Sequence, residues 1–370
     1  MISLENTILW LWLHQKVCLP RSKQHKLLEH FGSIERIYKA GLSEYIALGI
    51  LRDDEINLLT QKDTDECSFC LDNMGRQNIR VVTCDSEFYP RMLKAADDYP
   101  TVLYMRGKFI DLNSRFTVAM VGTRKATNYG KTCAHNLAKE LSLAGAVVVS
   151  GMALGIDTYS HEGALAAGTP TVAVIACGVD RVYPRQNASL MNKIMENGMV
   201  ISEYPPGTVA ERYYFPERNR IISGLCHGTL VVEADFKSGS LITARCATEQ
   251  NRDVFAVPGP INSVYSKGTN YLLKDGARVV TCAEDILSYY RLDYPHLFNT
   301  ERKHEKKKAP VSKSDSIEDR ILFALGDKAT HIDDICTAAG LDAGTVNASL
   351  LMLELSGKVI KLPGGFYSSI

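Results

Sequence analysis

Short apolar runs alternate with amphipathic stretches through the middle of the chain, and this alternation predicts strands separated by helices. Seven runs are β-branched and nearly continuous, and we predict a strand in each: residues 116–121, 146–150, 171–176, 199–202, 229–233, 253–257 and 278–281. Strands that are apolar throughout are typical of a parallel sheet covered by helices on both faces. Apolar stripes around Leu137 and Ala244 predict two such helices. We therefore predict an α/β fold, an extended Rossmann-like, doubly wound parallel sheet, with residues 103–108 leading into it.

Both ends of the chain predict smaller units. In residues 1–75 apolar positions recur at spacings of three and four, and Gly32 is placed to end a helix, so we predict a small helical, SAM-like domain. Residues 76–292 hold the sheet. Residues 293–315 contain a run of lysine and arginine followed by a proline, which predicts a basic linker. Residues 316–370 predict three helices and a hairpin, which together make a winged-helix domain.

The charge of that last segment bears on its role. Residues 316–370 contain seven acidic and four basic residues, and the predicted third helix contains neither lysine nor arginine. A winged helix that reads DNA usually places its third helix in the major groove. The acidic balance favours a structural role or a contact with another protein, and groove binding stays open as the alternative.

Composition limits the classes of partner. The formal net charge is zero, so any affinity for nucleic acid must come from a local patch of cations. Ten cysteines are scattered without a repeating framework, as is usual in a reducing compartment, and the pair Cys67 and Cys70 has no second pair at zinc-site spacing. No stretch is apolar over the length of a membrane span. We predict a cytoplasmic protein with no metal and no membrane partner.

Four glycine-bearing turns each follow a predicted strand and lead toward a predicted helix. They are Val121–Arg124, Ser150–Asp157, Cys177–Asp180 and Lys237–Ser240. In a parallel sheet such turns meet at the carboxyl edge of the strands, where sheets of this kind bind ligands. Backbone amides at helix N-termini attract phosphate. We predict a phosphate-binding crevice formed by Gly122, Ser150, Gly151, Ser238, Gly239 and Ser240.

Three familiar kinds of phosphate site do not match these turns. The dinucleotide fingerprint needs three glycines in the order G-x-G-x-x-G, whereas Gly151 and Gly155 are four apart. A Walker A loop is nearly present at Gly130-Lys131-Thr132, but Lys125 stands where its first glycine belongs. No Ser, His and Asp set occurs around a nucleophile elbow. We therefore predict no nucleotide cofactor.

Cations and aromatic residues cluster near the predicted edge. Arg124 and Lys237 belong to two of the glycine turns, and a further group precedes the helix at 221–222: Arg212, Tyr213, Tyr214, Phe215, Arg218 and Arg220. Guanidinium groups bind phosphate bidentately. Aromatic rings stack on bases, which contributes roughly 1–3 kcal/mol per base in single-strand binders. Five cations exceed the need of one nucleotide and suit several phosphates in a row, although one of the two tyrosines could equally be a core residue.

The motifs from Val121 to Ala277 resemble those of the DNA-processing protein A family (DprA, also called Smf). The matching segments follow in one order: Val121–Arg124 with Tyr129-Gly130, Ser150–Asp157 with His161, Gly178 to Pro184, Ser202–Pro205, Phe215–Arg220, Glu233 with Ser238–Ala244, Pro258-Gly259 and Gly268–Asn270. The helical N-terminus, the segment from Tyr89 to Gly107 and the winged-helix tail are also similar to this family.

The resemblance implies a protein that is not an enzyme. It would bind single-stranded DNA, load the RecA recombinase onto it, dimerise through the Rossmann domain and process transforming DNA. Carried over by motif, Arg124, Arg212 and Phe215 should contact DNA, with Phe215 stacking on a base. Arg218, Arg220 and Lys237 are added as further DNA contacts. Asp157, His161 and Asn219 resemble orienting residues, and each could equally be a buried polar group whose hydrogen bonds are satisfied.

One enzymatic alternative comes from related Rossmann proteins, the nucleotide phosphoribohydrolases, which cleave a base from a nucleoside monophosphate. Those proteins carry a Gly-Gly-x-Gly-Thr turn and a catalytic glutamate nearby. Here the comparable turn is Lys237–Ser240, with Glu233 before it, and the glycine pattern does not match.

The neutral net charge also departs from expectation for a DNA-binding protein, so we expect binding to depend on the local patch and on avidity between two subunits.

Overall fold

Nine strands form one sheet at the centre of the protein. Their bounds are β1 Ile79–Thr83, β2 Val102–Gly107, β3 Thr117–Val121, β4 Val147–Ser150, β5 Thr171–Val174, β6 Met199–Ser202, β7 Gly228–Val231, β8 Asp253–Ala256 and β9 Arg278–Val279. They lie in the order β1-β2-β6-β5-β4-β3-β7-β8-β9. The seven strands from β6 to β9 in this order are parallel, while β2 is antiparallel to both β1 and β6. The predicted parallel sheet is confirmed, and each predicted strand is found within two residues of its expected bounds.

Helices cover this sheet and extend before it. This computed structural model describes residues 4–297, 317–325, 330–356, 358–362 and 364–369, and the charged run 301–308 of the predicted linker lies outside them. The helices are α1 Leu4–Leu11, α2 Arg21–Phe31, α3 Ile34–Lys39, α4 Leu42–Ala47, α5 Asp53–Thr60, α6 Asp65–Arg76, α7 Arg91–Lys94, α8 Asn128–Leu143, α9 Ile156–Ala166, α10 Ala188–Asn197, α11 Tyr214–Gly224, α12 Ser240–Glu249, α13 Lys267–Lys274 and α14 Glu284–Arg291. Contacts divide the chain into two units, Met1–Asn299 and Thr300–Ile370.

Strand β3 shows how both faces of the sheet are covered. Ala119 and Val121 pack into one hydrophobic cluster, whereas Val118 and Met120 pack into another on the opposite face. Side chains alternate between the faces of a strand, so a continuous apolar run serves two cores at once. The second cluster contains the predicted stripe of α8: Ala134, Leu137, Ala138 and Leu141.

The N-terminal helices share a core with the sheet. Trp10 and Leu27 belong to the same cluster as Val174 and Ile201, and all four are fully buried. The helical segment predicted for residues 1–75 is present, but it packs directly on the sheet. Its boundary at residue 75 stays a prediction.

The strand order reverses at β3. From β3 the chain proceeds through β4, β5 and β6 on one side, and then returns to the other side of β3 with β7, β8 and β9. The connections after β3 and β7 therefore diverge and leave a crevice at the carboxyl ends of these two strands. Open α/β sheets bind their ligands at this switch point.

The second unit is a small three-helix domain with its own sheet. It contains α15 Ile317–Leu325, α16 Ile332–Ala339, α17 Ala343–Leu355 and the strands β10 Thr330–His331, β11 Val359–Leu362 and β12 Phe366–Ser369. The strand order is β10-β12-β11. Ile321, Ile335, Val346, Leu350 and Tyr367 form its buried core. The predicted winged helix is confirmed.

Two further expectations concern membranes and metals. Among the described residues no single helix is long and apolar enough to cross a membrane, and one pair, Ile332–Ala339 with Ala343–Glu354, reaches that length only across a bend of 108°. Within the same described ranges, no group of three or more His, Cys, Asp or Glu side chains is placed to hold a metal ion.

Candidate nucleic-acid interface

An open cleft of about 910 Å³ lies at the carboxyl ends of β3 and β7, where the strand order reverses. Its lining contains residues from the turns after both strands and from the start of α11. The charged and aromatic members are Arg124, Lys125, Asp157, Tyr183, Arg212, Phe215, Arg218, Asp235, Lys237 and Tyr265, and the predicted residues Gly122, Ser238, Gly239 and Ser240 line it as well. Most of the sequence-predicted site is therefore brought together in one place.

Two of the predicted glycines serve packing within the protein. A Cβ on Gly151 would lie 2.8 Å from both Arg218 Cζ and Asp157 Oδ2, and a Cβ on Gly122 would lie 2.8 Å from the carbonyl oxygen of Glu233. A Cβ on Gly239, in contrast, would meet no atom within 4 Å. Gly122 and Gly151 therefore allow protein segments to approach each other, whereas Gly239 has open space before it.

Arg218 braces the wall of the cleft. Its Nη1 donates to the carbonyl oxygens of Gly151, at 2.6 Å, and of Val174, and its Nε donates to Asn219 Oδ1 at 3.2 Å. Burial lowers the pKa of Arg218 to about 10. Arg218 is only 4% exposed, and its hydrogen bonds hold the loop after β4. The predicted contact of Arg218 with DNA is therefore limited to what its exposed edge can reach.

Asp157 fixes the same loop from the other side. Its Oδ2 accepts from the backbone N–H of Gly151 at 3.1 Å and of Ala153 at 3.2 Å. Burial raises the pKa of this carboxyl to about 6, against the lowering effect of Arg218 and of the two N–H groups. These contacts fit both alternatives stated for Asp157, an orienting residue and a buried polar group whose hydrogen bonds are satisfied.

Arg124, Phe215 and Tyr183 form a row of neighbouring side chains in the lining of the cleft. The Arg124 guanidinium carbon lies 5.2 Å from the centre of the Phe215 ring, and that ring lies 5.2 Å from the ring of Tyr183. Arg124 is exposed and Tyr183 is 45% exposed, so the row presents a charged group and ring surface to solvent. A cation above the face of an aromatic ring is attracted by that ring. Such a row offers stacking surfaces for bases beside a cation for phosphate.

Four cations of the cleft are exposed: Arg124, Lys125, Arg212 and Lys237. Within the part of the chain that the structure describes, none has a carboxylate within 4.0 Å of its charged group. Asp157 faces Arg218, and Asp235 is the other carboxylate in the lining. The cleft is therefore locally positive on a chain whose formal net charge is zero.

The turn from Lys237 to Ser240 leads into α12. Ser238 Oγ lies 2.7 Å from Ser240 Oγ, and Asn219 Nδ2 donates to the carbonyl oxygen of Gly239 at 3.3 Å. The positive end of the α12 dipole is thereby held at the cleft, where it favours an anion. Asn219 connects this turn to Arg218, as expected of an orienting residue.

Ser150 and His161, two residues named from the sequence, lie elsewhere. Ser150 is fully buried and its Oγ donates to the carbonyl oxygen of Met120 at 2.6 Å. His161 is also fully buried, with Nδ1 2.9 Å from Thr171 Oγ1, and burial lowers its pKa to about 3. Both are buried polar groups away from the cleft lining, so the expected ligand contact of Ser150 needs correction.

Arg220 also needs correction, because its buried guanidinium belongs to an ion cluster with Glu203 and Asp98. Its Nη2 pairs with Glu203, its Nη1 donates to the carbonyl oxygen of Asp98 at 2.6 Å, and its Nε lies 3.3 Å from the Asp98 carboxylate. Arg21 of α2 pairs with the same Glu203 oxygen at 2.8 Å. Arg220 therefore ties α11 to the N-terminal helices, and its position does not support a contact with DNA.

Lys125 and Tyr183 are among the cleft residues that sequence reasoning did not assign to the site. Lys125 follows Arg124 directly and could have been found from that position alone. Tyr183 was visible as a motif residue, but its ring reaches Phe215 only because the segment after β5 folds toward α11. Of the paired tyrosines, Tyr213 is 63% exposed and Tyr214 is half-buried against the ring of Tyr204, with 4.0 Å between the ring centres.

Glu233, the residue on which the enzymatic alternative depends, is 2% exposed. Its Oε1 accepts from Thr127 Oγ1 at 2.7 Å and its Oε2 from the Thr127 backbone N–H at 2.9 Å. Both oxygens hold the start of α8, and Glu233 is absent from the described lining of the cleft. Its position gives no support to a role as a catalytic base.

The fold and the cleft define a Rossmann-type protein with exposed cations at the carboxyl edge of its sheet, and comparisons place it among known families. Residues 80–291 match the family model of DNA recombination-mediator protein A, and residues 305–365 match the DprA winged helix domain. The chain is 37% identical to Protein Smf of Escherichia coli (strain K12) over 318 residues, covering 85% of this chain and 84% of that protein. It is 43% identical to DNA processing protein DprA of Bacillus subtilis over 210 residues, 57% of this chain and 71% of that one. The chain belongs to the DprA/Smf family.

Two solved structures are similar to it. The DprA structure from Streptococcus pneumoniae has a TM-score of 0.69 at 34% identity and covers 76% of this chain and 97% of that chain. The structure of DprA from Helicobacter pylori, described for its single-stranded DNA binding mode, has a TM-score of 0.53 at 33% identity and covers 58% and 97%.

Proposed function

We propose that this protein binds single-stranded DNA in the cleft between β3 and β7. The observation that carries the proposal is the set of four exposed cations, without a carboxylate partner among the described residues, around the row of Arg124, Phe215 and Tyr183. The single-stranded DNA binding mode described for the Helicobacter pylori relative supports it.

A single strand fits this arrangement better than a duplex or a mononucleotide. Stacking on Phe215 and Tyr183 needs the face of a base, which a duplex hides and a single strand exposes. One nucleotide needs fewer cations than the cleft supplies. The spread of the cations over the turns after β3 and β7 and over the start of α11 suits a chain of phosphates.

The test is a titration of labelled thymidine oligonucleotide and of a duplex of equal length across a salt series, followed by fluorescence anisotropy. We expect tighter binding of the single strand and a fall of affinity with salt, because each neutralised phosphate contributes about 0.7 to the slope for single strands. The variant Arg212→Ala should lower this slope. Equal affinity for the duplex, or a slope near zero, would contradict the proposal.

We further propose that the bound strand is handed to the RecA recombinase, in homologous recombination and DNA-mediated transformation. The membership of the family of recombination mediators supports this role. The assay is the lag before RecA begins to hydrolyse ATP on DNA covered by a single-strand binding protein. We expect the protein to shorten the lag, and Arg124→Ala to restore it. An unchanged lag with the unaltered protein would reject RecA loading and leave DNA binding intact.

A homodimer is also proposed, through the β9 edge of the sheet. Strand β9 pairs with β8 alone among the described strands, and both its residues are exposed. Val279 is 53% exposed, and Tyr271, which lines one cavity together with Arg278, is 50% exposed, which leaves apolar surface near this edge. Sedimentation should show a dimer that Val279→Lys dissociates. If the unaltered protein is a monomer, avidity between two subunits does not contribute to its DNA binding.

The remaining expectations complete the proposal. We propose a cytoplasmic protein without enzymatic activity, and incubation with nucleoside monophosphates should release no free base.

We propose that the winged helix contacts protein rather than DNA, because its α17 exposes Leu351 and Met352, at 57% and 61%, and contains no lysine or arginine. Deletion of residues 309–370 should then leave affinity for single-stranded DNA unchanged, and a loss of affinity would favour groove contact.

A further inference from the structure

A second cavity lies at the opposite end of the strands from the cleft. It has a volume of about 400 Å³ and lies where β1 and β6 begin and β2 ends. Its lining is Asn78, Ile79, Arg80, Met105, Arg106, Gly107, Phe109 and Met199. We call it the amino-edge groove. None of these residues lines the cleft between β3 and β7.

The groove has cations whose charge is not neutralised by the protein. Arg80 is exposed and Arg106 is half-buried, and the exposed Lys108 follows in the chain. Among the described residues none of the three has a carboxylate within 4.0 Å. The Arg80 guanidinium lies 4.2 Å from the centre of the Phe109 ring. A guanidinium stacked in this way keeps its N–H groups free to bind a carboxylate bidentately.

The accessible apolar surface at the groove comes from two rings. Ile79, Met105 and Met199 are each no more than 4% exposed and belong to the hydrophobic core beneath it. Phe109 is half-buried and packs edge-on against Phe88, with 5.6 Å between the ring centres, and Phe88 is 45% exposed. Methionine and aromatic side chains adapt to an inserted apolar group. The groove therefore combines space for an apolar side chain with arginines at its rim.

The groove adjoins an edge strand. Within the described sheet β1 is hydrogen-bonded to β2 alone, so one of its edges is not paired with another strand. Edge strands of this kind accept an extended peptide through main-chain hydrogen bonds, and side-chain pockets beside the strand then select the sequence. This favours a peptide over nucleic acid, which offers no main-chain amides to a strand edge.

We propose that the amino-edge groove binds an acidic peptide of a partner protein, in which aspartates or glutamates stand next to an aromatic or aliphatic residue. The carboxylates pair with Arg80 and Arg106, and the apolar side chain rests against the rings of Phe109 and Phe88. The groove is separate from the cleft, so the proposed peptide binding does not depend on the proposed DNA binding.

The test uses a fluorescein-labelled peptide with three aspartates followed by two leucines and a phenylalanine, and the full-length protein. We expect saturable anisotropy changes, and affinity that falls by roughly tenfold or more when the aspartates are replaced by asparagine, since charge complementarity is then lost. Failure of the peptide to bind, or equal affinity of the asparagine peptide, would overturn the proposal.

Two variants separate the groove from the cleft. Arg106→Glu should weaken the peptide by a similar factor and leave the affinity for thymidine oligonucleotide unchanged, whereas Arg212→Glu should do the reverse. Arg106→Met, which keeps an unbranched side chain, checks that the loss follows the charge and not the fold, with the thermal midpoint measured for all three. If Arg106→Glu lowers DNA affinity and spares the peptide, the groove belongs to nucleic acid and the proposal is wrong.

Discussion

Arg212 and Arg220 lie close together in sequence, yet the protein uses them in opposite ways. Arg212 is exposed at the cleft and has no carboxylate partner within 4.0 Å among the described residues, whereas Arg220 is 5% exposed and held by Glu203 and Asp98. A buried guanidinium requires compensating charge, and that compensation removes its attraction for an outside anion. An exposed guanidinium keeps this attraction. The difference separates arginines that stabilise the fold from arginines that are available to a ligand.

Arg218 stands between these two cases. It lines the cleft, but its Nη1 donates to the carbonyl oxygens of Gly151 and Val174, its Nε donates to Asn219, and Asp157 offsets its charge. Its hydrogen bonds hold the loop after β4 in shape, and Asp157 limits the attraction of its charge for a ligand. The comparison predicts that variants of the buried arginine act on stability, variants of the exposed ones act on affinity, and changes at Arg218 and Asp157 act on both.

The largest effect should come from Arg220→Ala. We expect it to lower the free energy of unfolding by about 3 kcal/mol, because it leaves the buried Glu203 carboxylate with Arg21 as its remaining cation. Urea unfolding followed by the fluorescence of the buried Trp10 and Trp12 measures this change.

The matched control is Arg212→Ala, an exposed arginine without an ion pair among the described residues. Its free energy of unfolding should stay within about 0.5 kcal/mol of the unaltered protein. Equal destabilisation by the two variants would remove the distinction between buried and exposed arginines.

The next effect is on affinity. Arg124→Ala removes both a phosphate ligand and the cation over Phe215, and we expect binding of single-stranded DNA to weaken by about 2 kcal/mol, roughly thirtyfold. Arg124→Lys keeps the charge but loses the planar fork, so it should recover part of this loss. Anisotropy titrations give both values, and an affinity of Arg124→Ala equal to that of the unaltered protein would place the strand outside the cleft.

A smaller effect should follow removal of a ring. Phe215→Ala is expected to cost about 1.5 kcal/mol of binding free energy, within the range for stacking on one base. The slope of affinity against salt should stay the same, since no phosphate contact is lost. Tyr183→Ala tests the second ring of the row in the same titration. A change of slope in either variant would mean that the ring positions phosphates rather than bases.

The sheet and the position of the cleft could be predicted from the sequence. Strands buried on both faces, such as β3, must be apolar at every position, so their runs stand out without reference to the rest of the fold. The glycine turns at Gly122 and Gly239 mark the carboxyl ends of β3 and β7, and the switch between these strands places the crevice.

The environments of individual side chains could not be predicted in this way. Arg220 differs from Arg212 because Glu203 and Asp98, distant in sequence, reach it in space. Gly151 is needed because of the position of Arg218, which no local pattern reveals. Local sequence shows where the chain turns, but the folded core decides which polar group finds a partner.

The smallest expected effect is a dependence of DNA affinity on pH, through the buried Asp157 beside Arg218. The Asp157 carboxyl has a pKa raised by burial to about 6, above its value in the unfolded chain, so its ionisation destabilises the fold as pH rises from about 4 to 6. DNA phosphates near the cleft would raise this pKa further and favour proton uptake on binding.

We therefore expect affinity for single-stranded DNA to increase a fewfold, by about 0.7 kcal/mol, as pH falls from about 7.5 to 5.5, because protonation of Asp157 leaves the charge of Arg218 uncompensated. The described lining of the cleft contains no histidine that would titrate in the same range. Asp157→Asn should bind with little dependence on pH, as judged by titrations at matched ionic strength. A pH dependence that persists in this variant would assign the proton to another group and leave Arg218 as a purely structural brace.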